Sequence, residues 1–223
     1  MHKMKVMTSW AAVASLATVL ATQLSGCASM APAPDYKAML DAMMKSSFRD
    51  EGIAKIERLQ QDDSNAECSA SQGKELPEAR ANAIVAANLA SVKLPADGQY
   101  IGDWKEGEKL AQNGRGMTWT DASAATSANG GNCYNCHQLS KAEISFGTIG
   151  PSLYNYGKIR GVADPASPVS KGIVDYTWAK VYNAKAFNAC SGMPRFGHAG
   201  MLDQKQLKDI MALLLDPKSP VNH

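Results

Sequence analysis

The chain has 223 residues, with 23 Lys/Arg against 21 Asp/Glu and a net charge of +2. That length holds one domain with an extension or two small ones, and the near-balanced charge argues for no nucleic-acid partner. Charge is uneven along the chain. Residues 27–136 carry 11 Lys/Arg and 15 Asp/Glu, whereas residues 137–223 carry 10 and 6, so the basic half is suited to steering an acidic partner.

Residues 1–27 read as an export signal. His2, Lys3 and Lys5 form a basic head, and the uncharged run from Ser9 to Leu24 is short for a membrane span. It ends in Leu24-Ser25-Gly26-Cys27, which resembles a bacterial lipobox, so Cys27 is the expected lipidation site. Cleavage later, at Ala31-Pro32-Ala33, would discard it. Either route delivers the chain to an oxidising compartment, the periplasm, where disulfides persist. Lipidation predicts attachment to a membrane.

A Pro/Ala tether follows. Residues 35–61 are predicted helical, capped by Asp35 and divided at Gly52, with Tyr36, Met39, Leu40, Met43 and Met44 at helical spacing. Those methionines are expected to pack rather than to bind metal. Residues 61–75 read as a polar loop carrying Cys68. Residues 76–95 read as a second helix with Pro77 near its start and Pro95 after its end. Residues 28–102 thus form a tether and helical extension.

Residues 103–113 predict a short helix, and 114–132 a Gly/Ser/Ala-rich loop. Residues 144–161 (ISFGTIGPSLYNYGKIRG) hold glycines and a proline too closely spaced for regular structure. Residues 173–185 are helical by pattern, with Val174, Trp178, Val181 and Tyr182 on one face. Asp203 and Gln206 match a capping box. Leu207, Ile210, Met211 and Leu214 then give a helical stripe that Asp216-Pro217 stops. No segment reads convincingly as a strand, so the expected class is all-α.

The chemistry lies in GNCYNCHQ, residues 131–138, which contains a C-x-x-C-H unit. Three readings compete. A thioredoxin-type C-x-x-C wants a preceding strand, and here a Gly-rich loop precedes it. A tetrahedral zinc site wants about four ligands, and no second paired motif exists. Covalent c-type haem uses Cys133 and Cys136 for the two thioethers and His137 as an axial iron ligand, and export agrees with that use. A second axial ligand is sought among Met193, His198, Cys190, Met201 and Met211. Met193 is preferred because it sits in an irregular loop before Pro194, with His198 next; Met211 is expected in the core.

Residues 103–223 resemble a class I cytochrome c domain in their order of short helix, C-x-x-C-H, loops, Met-Pro and terminal helix. More closely, GGNCYNCHQL, ISFGTIGPSLYNYGKIRG, VYNAKAFNACSGMPRFGHAG and ALLLDPKSPVN resemble the SoxX family, the cytochrome c subunits of the bacterial SoxAX sulfur-oxidation complex. The resemblance implies one covalent haem c, with His137 and Met193 as iron ligands, and a heterodimer with a SoxA-type cytochrome. That complex is an L-cysteine S-thiosulfotransferase, which couples thiosulfate to a cysteine of the carrier protein SoxYZ. This chain would accept the released electrons and pass them to a soluble cytochrome c, with no activity alone. A general electron carrier unrelated to sulfur is the alternative. Arg160 is a candidate contact to the haem propionates, and Pro151 to shape the loop beside His137. Two cysteines on haem and one on lipid leave Cys68 and Cys190, which are expected to pair and to staple the extension to the Met193 loop; a free Cys190 is the alternative.

Overall fold

The computed structural model of the chain describes residues 33–223. The expected export signal and the expected lipidation site, Cys27, lie outside those residues. Among the described residues every regular element is a helix, and an isolated bridge between Glu51 and Ala54 is the one strand-like pairing. No described helix is long and apolar enough to cross a membrane.

The described residues divide into two units, one ending at Ser47 and one running from Phe48 to His223. In the first, α1 (Tyr36–Ser47) buries no residue. Asp35 caps it as expected, its carboxylate accepting from the Ala38 N–H at 2.9 Å. Tyr36, Met39, Leu40 and Met43 lie exposed on it, rather than packed as the pattern suggested. The helix stops well short of residue 61. Gly52 turns the chain at φ +54°, and a Cβ there would lie 2.4 Å from the Trp119 carbonyl oxygen, so the backbone passes too closely for a helix to run through.

The second unit begins with the part of the extension that carries Cys68. The expected loop at 61–75 contains a helix instead, α2 (Asp63–Ala70). The Asp62 carboxylate caps it, accepting from the Asn65 N–H at 2.8 Å. Its apolar content is too low for periodicity to reveal it. α3 (Glu78–Ala90) starts after Pro77 as expected.

The core is built around α7 (Gln204–Leu215). Asp203 and Gln206 form the predicted capping box, and the helix ends at Asp216. Its stripe is buried, and so are Ala212, Leu213 and Leu215, because α4 (Trp104–Gln112), α6 (Lys171–Tyr182) and the C-terminal segment cover it from several sides. α4 crosses α7 at Gly107, where a Cβ would meet the Asp209 carbonyl oxygen at 2.1 Å. The Asp209 carboxylate is buried and accepts from the Asp103 N–H at 2.9 Å and from Lys205 Nζ at 2.7 Å. One side chain of α7 therefore satisfies a donor at the start of α4.

α6 ends at Tyr182, before the predicted Lys185. Asn183 adopts an extended conformation, its side-chain oxygen accepts from the Lys185 N–H, and its Nδ2 donates to Asn88 Oδ1 at 3.0 Å and Ser91 Oγ at 3.0 Å. This buried polar seam joins α3 to the end of α6. Trp178 Nε1 donates to the Lys93 carbonyl at 2.9 Å, and its ring meets Tyr100 edge-on at 5.4 Å. From residue 48 onward the extension packs as part of the same unit as residues 103–223.

Candidate functional site

The C-x-x-C-H sits on one tight turn. The preceding glycines serve α4: the Gly131 N–H donates to the Leu110 carbonyl at 2.8 Å, and the Asn132 N–H to the Asn113 carbonyl at 3.0 Å. These bonds satisfy carbonyls at the helix end. Asn132 then takes the left-handed conformation at φ 50° and opens a 3-10 turn over Cys133–Asn135. The N–H groups of Cys136 and His137 both donate to the Cys133 carbonyl, at 3.1 and 2.9 Å. Cys133, Cys136 and His137 are thereby gathered on one helical turn.

The loop 147–153 runs beside this turn. The Gly147 N–H bonds the Tyr134 carbonyl at 2.8 Å, Gly150 bonds Cys136 at 2.8 Å, and Leu153 bonds Gln138 at 2.7 Å. Glycine is required at both close approaches. A Cβ at Gly147 would lie 1.8 Å from the Asn135 carbonyl oxygen, and one at Gly150 would lie 2.1 Å from Cε1 of His137. The glycines that broke the sequence pattern are the means by which the loop reaches the histidine. A four-residue helix, α5 (Tyr156–Ile159), interrupts the expected irregular stretch.

Pro151 is placed by this approach. His137 Nδ1 lies 2.7 Å from the Pro151 carbonyl oxygen. A carbonyl only accepts, so Nδ1 carries the proton and the lone pair of the neutral ring is on Nε2.

Cys133 and Cys136 are not bonded to each other. Burial pushes the Cys133 thiol up to about 12, the reverse of the lowered value that activates a thioredoxin-type nucleophile. Among the described residues no three His, Cys, Asp or Glu side chains converge as a metal-ion site.

Met193 is half-buried in the loop after α6, its N–H donating to Ser191 Oγ at 3.3 Å. It packs on the same apolar cluster that Cys133 and Tyr134 join from the other part of the chain. Met211 is fully buried in that cluster, as expected. His198 is exposed, with Nδ1 3.2 Å from Ser91 Oγ. Met201 packs at the cluster edge and its carbonyl accepts from Asn129 Nδ2 at 2.8 Å. Arg160 lies over the Tyr156 ring, 3.7 Å from its centroid, and donates to the Tyr156 carbonyl at 3.2 Å.

Cys190 is disulfide-bonded to Cys68, which removes it from the candidate iron ligands. The bridge joins α2 to the Met193 loop, as the cysteine pattern predicted. A second tie was not read from the sequence: the Asp62 carboxylate that caps α2 also pairs with Arg195. Cys190 and Arg195 stand on either side of Met193, and both are held by one short helix. Lone charges in a polar stretch gave no signal of this. The bridge also has Lys185 beside it. That side chain is 3% exposed, with Nζ 2.8 Å from the Ala189 carbonyl and 3.8 Å from Cys68 Sγ.

No family model matches the chain. An uncharacterized lipoprotein of Aquifex aeolicus (strain VF5) is 38% identical over 137 residues, which is 60% of this chain and 59% of that protein. The chain thus spans about three-fifths of the length of the curated relative it matches.

Proposed function

We propose that this chain is an exported c-type cytochrome that carries electrons, with a class I cytochrome c arrangement in residues 103–223. The observation that carries the reading is the 2.7 Å bond from His137 Nδ1 to the Pro151 carbonyl. It fixes the ring orientation and leaves Nε2 free for iron, an arrangement usual for metal-binding histidines. Two unbonded thiols at C-x-x-C spacing on the same turn fit the two thioether positions of haem c. The exposed Ile149, next to Gly150 on that loop, fits a site whose occupant is largely apolar.

Haem bound there supplies a one-electron Fe(III)/Fe(II) couple. Cys133 and Cys136 would hold it covalently, His137 would ligate iron, and Met193 is the proposed second ligand. A thioether at that position raises the potential. The chain's own part is rigidity: the helix-capped turn, the two close glycine approaches and the doubly tied Met193 loop limit rearrangement between redox states.

Within that class we assign the chain to the SoxX type. The sequence segments around the C-x-x-C-H, the TIGP loop and the Met-Pro loop support this. The partner is then a SoxA-type cytochrome. The chain's task is to take the electrons released when thiosulfate is joined to a SoxYZ cysteine and to hand them to a soluble cytochrome c. The Leu-Ser-Gly-Cys ending and the relative named as a lipoprotein support a lipid anchor at Cys27 and a periplasmic, membrane-attached position.

Tagged purification from cells grown on thiosulfate tests the assignment. A stoichiometric second c-type cytochrome with thiosulfate-dependent turnover is expected. A lone haem protein without turnover would reduce the reading to a general electron carrier.

A further inference from the structure

A cavity of about 380 Å³ opens over the Cys68–Cys190 bridge. Both cysteines line it, together with Gln61, Asn65, Ser69, Lys74 and Lys185. No Asp or Glu is among its lining residues. Lys185 is the unusual member. It is buried on the 3-10 turn at Ala184–Ala186, and its Nζ stands 3.8 Å from Cys68 Sγ. A lysine is almost never placed so deeply without a charged partner, and Lys185 makes its closest contact with a carbonyl. Arg195 opposes its charge and Asp62 favours it, but those two are paired with each other.

We infer that this cavity is a docking site for small anionic thiols and that the Cys68–Cys190 bridge is an exchangeable disulfide opened there. The two lysines, with no carboxylate among the lining residues, set the preference for negative charge. Cys190 is exposed and Cys68 is half-buried, so the incoming thiolate meets Cys190 Sγ. A bond forms between that sulfur and the external sulfur. The Cys68–Cys190 bond breaks, and its electron pair stays on Cys68 as a thiolate beside the Lys185 ammonium. A stabilised leaving thiolate speeds exchange. A second external thiol then displaces Cys190. Two external thiols become one disulfide, and their two electrons and two protons leave Cys68 and Cys190 as thiols.

Burial, and then Arg195, hold the Lys185 ammonium below the ordinary lysine value; a thiolate at Cys68 opposes that shift and is favoured in turn. Opening the bridge would remove one of the two ties on the Met193 loop. The inference concerns the chain's own disulfide and does not depend on the haem reading.

The test uses the full chain and two small thiols of opposite charge, 2-mercaptoethanesulfonate and cysteamine, at equal thiolate concentration. Opening of the bridge is followed by alkylation and peptide mapping of Cys68 and Cys190. The anionic thiol is expected to open it about tenfold faster, as for a cleft lined by one sign of charge. That ratio should fall in Lys185→Gln and also in Lys74→Gln, which changes an exposed side chain and spares the fold. Trapping after the first step should place the mixed disulfide on Cys190 and the alkyl group on Cys68. Equal rates for the two thiols, or a ratio unchanged in both variants, would overturn the docking site. The opposite placement of the labels would overturn the stated direction of attack.

Discussion

Asp62 and Arg195 pair across 133 residues of sequence, and the same Asp62 carboxylate caps α2, whose Cys68 is bonded to Cys190. Two contacts from one short helix thus hold the chain on both sides of Met193, and the cap at Asp62 fixes the start of that helix. Burial pushes the Asp62 carboxyl up, but the Asn65 N–H and Arg195 together outweigh it and hold it below its ordinary value. A lowered carboxyl contributes stability that is present above its unfolded value and is lost as pH falls through the folded one. The loss therefore begins below about pH 4.

Asp62→Asn keeps a good cap and removes the charge, and should cost about 0.5–1 kcal/mol; Asp62→Ala loses both and should cost about 1–2 kcal/mol. Urea unfolding at neutral pH checks the order. The asparagine variant should also lose part of the acid sensitivity of the parent.

The Cys68–Cys190 bridge closes a sequence separation of 122 residues. Loop entropy alone predicts that Cys68→Ala with Cys190→Ala costs about 3–5 kcal/mol. Thermal unfolding under non-reducing conditions measures it. An unchanged midpoint would mean that the extension docks without help from the bridge.

Gly107 faces two opposed effects. Alanine raises helix propensity by about 1 kcal/mol, but its Cβ would stand 2.1 Å from the Asp209 carbonyl oxygen. Overpacking of that kind costs about 1–3 kcal/mol, and the obstacle is backbone, so the steric term wins and Gly107→Ala should destabilise. Gly150→Ala meets the His137 ring instead. It should break the Nδ1–Pro151 bond, and nitrogen NMR should show the fixed His137 tautomer of the parent replaced by a mixture.

His198 gives a second pH dependence. Although the residue is exposed, partial desolvation of its ring first, and Arg195 next, hold its imidazole below the ordinary value, against the pull of Asp62. The unfolded chain then takes up the proton first. Stability from this group is full above about pH 6.5 and declines as pH falls below it. Denaturation midpoints followed from about pH 7.5 to about pH 5 should fall in the parent, and fall less in His198→Gln.

Much of the frame is legible in the sequence because it rests on local rules. The capping box at Asp203 and Gln206, the stop at Asp216-Pro217 and the helix opened by Asp103 are written in neighbouring residues. The cysteine count also led to the pair that the structure shows, Cys68 and Cys190. Three features escaped. α2 has almost no apolar periodicity, and its start depends on one carboxylate. α6 ends early because Asn183 takes up bonds with α3, more than ninety residues away. Lys185 is buried, and nothing beside it in sequence tells of that. The meaning of the TIGP glycines also became clear only in three dimensions, where Gly150 lies flat against the His137 ring.

The central claim is that Cys133, Cys136 and His137 form a covalent haem site. The most direct measurement is mass analysis of the chain purified from its native host, intact and as the peptide containing residues 131–138. One haem attached through both thiols, with Cys68 and Cys190 still paired, is the predicted result. A haem-free peptide in which Cys133 and Cys136 alkylate freely would contradict it.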